Sequence, residues 1–151
     1  MGTDVGTRDA LDERRLEVVR LHMESENDLD FETTMSTFLH PRYELVPNGQ
    51  VFDGEDEVQQ YFAGSRAAFP DQRNEPIALH AADTGVFAEF WLRGTHSGPL
   101  MGFEPTGNTF EVRMVAFFEF SDRDGDHADQ IVCERVYYDL FSILKQLGLG
   151  T

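Results

Sequence analysis

Asp139 is the ionisable residue least in keeping with its neighbours, flanked by Tyr137, Tyr138, Leu140 and Phe141 in an apolar run from Ile131 to Leu149. A carboxylate so placed either caps a helix or is an acid in a mostly apolar pocket, where burial lifts its pKa toward working pH. Arg135 lies two strand alternations earlier, on the same sheet face, where it can pair with Asp139 and hold it ionised. His22 and Glu26 form a His-x-x-x-Glu pair; without further ligands it is an incomplete metal set, and His22 otherwise reads as lining a pocket. His96, in a glycine-rich link, is the kind of loop histidine that bonds local backbone. Arg113 is either a substrate contact or the ion-pair partner of Glu111 or Glu89, and Trp91 and Tyr137 read as core or pocket wall. Cys133, the only cysteine, excludes an internal disulfide and reads as a buried, inert thiol. The glycine of Asp122-Arg-Asp-Gly-Asp126 is misplaced for a calcium loop, so the segment reads as a hairpin turn.

The elements that must position these groups follow from periodicity and punctuation. Asp9 or Asp12 can cap a helix running to about Ser25, with Leu16, Val19 and Met23 on one stripe. Asp30 can cap a second helix carrying Phe31, Met35 and Phe38. Tyr43 to Val46 alternates like a short strand, and Pro47-Asn48-Gly49 can fold Val51-Phe52 back as its hairpin partner. A third helix starts at Asp53-Gly54 and closes at Pro70-Asp71, with Val58, Tyr61, Phe62 and Phe69 on its apolar face. Four long strands follow, over 75–82, 85–95, 108–121 and 129–139, and then a short terminal helix. Asp139 falls where the last strand hands over to that helix. Successive long strands pair antiparallel, and the early helices must cover their buried face. The expected fold is an α+β roll: a strongly bent antiparallel sheet covered by three N-terminal helices, enclosing a cone-shaped cavity as the default binding site.

Several spaced motifs carry a family resemblance on top of this reading. Gly94-Thr-His-Ser-Gly-Pro99, Gly102, Pro105-Thr-Gly107, Val136-Tyr-Tyr-Asp139 and Leu144-x-Gln-Leu-Gly148, with Phe69-Pro-Asp71, resemble the SnoaL-like polyketide cyclases. These are ester cyclases of the nuclear transport factor two-like superfamily, and the likeness runs from about Val18 to Leu149. It implies a deep apolar pocket, a homo-oligomer (dimer or tetramer), and no metal or organic cofactor. It also implies that Asp139 is the acid/base of an intramolecular aldol closure, with His96 positioning or protonating the substrate oxygen. The residues expected to bind substrate are His22, Trp91, Arg113, Arg135 and Tyr137. The pattern departs from the family in the segment before the tyrosine pair, which reads Cys133-Glu134-Arg135. Two functional readings stay open: a cofactor-free acid/base enzyme for a mostly apolar small molecule, or a module of the same fold that binds without transforming.

Composition narrows the setting. The 151 residues are 40% hydrophobic, enough for one core, and form one expected domain over 9–149 behind a disordered tail, 1–8. No stretch resembles a membrane span or a signal peptide, so a cytoplasmic protein is expected. Twenty-eight acidic against 12 basic residues give a net charge of −16, and Lys145 is the only lysine. Such a surface stays hydrated in concentrated salt and repels itself without it, which predicts a halophilic protein. It also argues against nucleic acid or anionic membrane as partners.

Overall fold

The computed structural model describes residues 9–150; the tail expected over residues 1–8 lies outside them. Helix α1 spans Ala10–Asn27, with the Asp9 side chain accepting from the Asp12 N–H as its N-cap. Helix α2 spans Phe31–Ser36 and is capped in the same way by Asp30. Strands β1 (Arg42–Leu45) and β2 (Gln50–Asp53) form a hairpin, and helix α3 follows over Glu55–Ala68. Then come β3 (Arg73–Ala82), β4 (Gly85–Thr95), β5 (Thr109–Phe120), β6 (Ile131–Tyr137) and helix α4 (Leu140–Gln146).

The six strands form one sheet in the order β2-β1-β6-β5-β4-β3. β3 to β6 meander antiparallel, as expected for long strands joined in succession. The sheet is mixed and not wholly antiparallel, because β1 pairs with β6 in parallel register. Most of the domain separates these two strands, so no tight turn dictates their relative direction. Register shifts at Pro76/Ala78 and Glu119/Phe120 add local bend, and the sheet stays open.

One sheet face is covered and the other is not. Phe110, Val112, Met114, Ala116, Phe118 and Phe120 of β5 all point into the core with Val86, Ala88 and Phe90 of β4. Leu16, Val19 and Met23 of α1 pack on them, and Val58 and Phe62 of α3 close the β1–β2 end. Buried Arg15 ties α1 to two chain turns by donating to the carbonyls of Asp83, Ser121 and Ala128.

Candidate functional site

A cavity of about 470 Å³ lies between the covered sheet face and the helices. Its walls include Phe90, Phe110, Met114 and Phe118 from the sheet, Tyr61 from α3 and Leu100 from the β4–β5 link. Two acids open into it, partly buried Glu26 from the last turns of α1 and buried Glu134 from the middle of β6. Glu134 is there because β6 alternates: Glu134 faces inward with Val136, opposite Phe118 of β5 and Tyr43 of β1.

His22 stands behind the two acids and is fully buried. Its Nε2 lies 2.8 Å from Glu134 Oε1, 3.3 Å from Glu26 Oε1 and 3.1 Å from the Tyr43 hydroxyl. Its Nδ1 lies 2.9 Å from Thr37 Oγ1, and that hydroxyl already donates its hydrogen to the Thr34 carbonyl. Nδ1 must therefore carry a proton and donate to Thr37, which leaves Nε2 as the nitrogen whose proton can come and go. Burial opposes a charge on His22, but the Glu26 carboxylate and the bonds to both acids outweigh it and push the pKa up to about 9. Burial also raises Glu134, reinforced by repulsion from Glu26. Glu26 moves the other way: burial would raise it, but the His22 charge and its hydrogen bond bring it down. Within the trio the charged form of His22 is therefore favoured beside an ionised Glu26, while burial and the Glu26 charge favour the proton on Glu134.

The same three residues are the group among those described that could hold a metal ion, their ligand atoms lying within 4.8 Å of one another. The 2.8 Å separation of His22 Nε2 and Glu134 Oε1 also fits a proton shared between them. Arg66 of α3 also lines the cavity, stacked over Phe31 and 3.8 Å from Glu26.

The residues expected from the sequence divide sharply. His22 belongs to the cluster, and the pairing with Glu26 is real, completed by Glu134 and Tyr43. Asp139 is exposed and lies off the cavity lining; its Oδ1 accepts the Ser142 N–H at 3.1 Å as the cap of α4. The expected acid in an apolar pocket is thus a capping residue, two positions past the end of β6, whose Arg135 and Tyr137 face outward. Arg135 meets Glu44 at 2.7 Å and Glu119 at 3.2 Å on the outer face, not Asp139. Tyr137 is 44% exposed there. Trp91 and Arg113 lie opposite each other on the same outer face, Arg113 stacked over the indole and 3.7 Å from Glu89. None of these four lines the cavity.

His96 is buried in the β4–β5 link, off the cavity lining and beside Phe69. Its Nδ1 accepts from the Thr106 N–H, so Nε2 carries the hydrogen, and that buried donor has no partner among the described residues. Glu134 and Tyr43 went unremarked as site residues in the sequence. The available signal was an acid alternating with Val132 and Val136 on a strand otherwise apolar on that side.

The fold has many solved counterparts. A protein of Jannaschia sp. CCS1 provisionally described as a SnoaL-like polyketide cyclase superposes with a TM-score of 0.82 at 19% identity, covering 99% of this chain and 100% of that one. A Xanthomonas campestris protein provisionally described as a polyketide cyclase gives 0.80 at 20% identity, over 91% and 99% of the two chains. IdmH of Streptomyces antibioticus, with the same provisional description, gives 0.72 at 24% identity over 89% and 99%. No curated protein matches the chain in sequence. The model of the SnoaL-like polyketide cyclase family matches residues 16–147, and the chain therefore belongs to that family.

Proposed function

We propose that the protein is a cofactor-free acid/base enzyme of the polyketide or ester cyclase type, acting on a mostly apolar small molecule through Glu134. The observation that carries this reading is a buried carboxyl group that opens into an apolar cavity and is bonded at 2.8 Å to a buried histidine. Ionised Glu134 takes a proton from carbon next to a carbonyl; the C–H electron pair moves toward the carbonyl oxygen as the enolate forms. That carbon then attacks a second carbonyl, and protonated Glu134 returns the proton to the oxygen left negative. A raised pKa serves both halves, giving a stronger base when ionised and a usable acid afterwards. His22 supports the exchange by offsetting, as the imidazolium, the negative charge that Glu134 carries when ionised.

Proton abstraction can be read without the natural substrate, by deuterium exchange at the α-carbon of 2-tetralone in D2O followed by NMR. Wild type is expected to exceed the buffer rate, E134Q to lose roughly a hundredfold of that gain, and D139N to retain it. Exchange by E134Q at the wild-type rate would remove Glu134 from the mechanism. Ligand binding without any exchange would favour the second reading, a binding module.

We also propose a homo-oligomer formed through the uncovered sheet face, and a halophilic protein. The support for the first is an exposed apolar stripe of Phe87, Val115 and Tyr137 on that face. Around it Arg42, Arg93, Arg113 and Arg135 pair with glutamates, leaving a nearly neutral patch on a strongly acidic chain.

A further inference from the structure

We infer that the cavity selects ligands bearing a carboxylate, and that Arg66 is the residue that receives it. The inference rests on the cavity being the ligand site, as in the functional reading above, but not on any chemistry at Glu134.

Arg66 is the one cation among the described residues lining the cavity. Its side chain is only 11% exposed, and a buried guanidinium ordinarily spends its five N–H donors on acceptors. Arg66 has one regular hydrogen bond, from Nη1 to Ser65 Oγ at 2.8 Å. Its Nη2 reaches Glu26 only at 3.8 Å, and its buried Nε has no partner among the described residues. Nε and Nη2 form the edge of the guanidinium that grips a carboxylate with two parallel bonds, and this is the unused edge. Glu26 does not fill it, being drawn instead to Nε2 of His22 at 3.3 Å and to the Tyr43 hydroxyl. The Phe31 ring below the guanidinium lets it turn in its plane without losing the stack.

One further feature agrees. Asn74 also lines the cavity. Its Nδ2 donates to the Met23 carbonyl, which fixes the amide orientation and sets Asn74 against the same end of α1 as Glu26. With Arg66, Glu26 and Asn74 that end of the cavity is polar, and Phe90, Phe110, Met114 and Phe118 give the cavity an apolar wall.

Calorimetric titration with 2-naphthoate and with its neutral isostere 2-naphthamide tests this directly. Wild type at pH 7 is expected to bind 2-naphthoate at least tenfold more tightly. R66M and R66Q, each checked for an unchanged melting profile, should reduce the preference to twofold or less, and R66K should keep part of it. Equal affinities in wild type, no detectable binding of either probe, or a preference surviving both R66M and R66Q would each overturn the inference. Exchange at 2-tetralone and the 2-naphthoate preference are read on separate probes, so failure of proton exchange and failure of carboxylate selection are distinguishable.

Discussion

The proton on His22 Nε2 is held by groups from several elements: Glu26 beside it on α1, Glu134 on β6 and Tyr43 on β1, with Arg66 of α3 behind Glu26. A histidine whose pKa rises from 6.5 to about 9 on folding binds its proton more tightly in the native state. Its contribution to stability is complete below pH 6.5 and disappears as pH climbs toward 9. Glu134, also raised, acts in the same sense from its ordinary range upward, whereas lowered Glu26 contributes above that range and loses its contribution on acidification. Urea denaturation should therefore show unfolding free energy falling by up to about 3 kcal/mol between pH 6.5 and 9. H22Q should flatten that slope while being less stable throughout, since it leaves Glu26 and Glu134 buried without their cation. A wild-type curve that stays level to pH 9 would mean that His22 is neutral in the folded protein.

At the scale of elements, caps and alternation were legible and parity was not. Asp9 and Asp30 cap the helices that their positions predict, and the β4 boundaries match the alternating run over 85–95. On β6 both parities carry charge, Glu134 on one and Arg135 with Asp139 on the other, so local pattern alone cannot choose the buried side. The choice is tertiary: Phe118 and Tyr43 flank Glu134 from neighbouring strands, and the parallel β1–β6 pairing that brings Tyr43 there has no local signature. Once parity is fixed, Asp139 has only the cap to make. D139A should cost about 1 kcal/mol, and D139N, which keeps the accepting oxygen, much less; a loss of several kcal/mol in D139N would show a role beyond capping. Arg15 is the opposite case, a buried charge unannounced by any motif, bonded to three carbonyls from turns far apart in sequence. R15M keeps the stem and abandons those carbonyls, so thermal or urea unfolding should report a loss of about 3 kcal/mol.

For the whole molecule, the net charge of −16 and the nearly neutral outer sheet face pull in different directions. The acidic excess repels a second copy, while Phe87, Val115 and Tyr137 offer apolar area ringed by arginine–glutamate pairs that a two-fold axis can match. Salt should act on both balances. At molar potassium chloride the screening distance falls to about 3 Å, shorter than the spacing of most surface carboxylates, so self-repulsion within the fold and between copies weakens together. The melting temperature should rise on going from dilute buffer to molar salt, and sedimentation velocity should show the larger species gaining population. V115R separates the two effects: a new cation in the middle of the stripe opposes its own symmetry mate and should yield monomer at every salt concentration, yet the melting temperature of that monomer should still climb with salt. If it does not, the acidic surface is no burden to the fold, and salt acts only through the contact between copies.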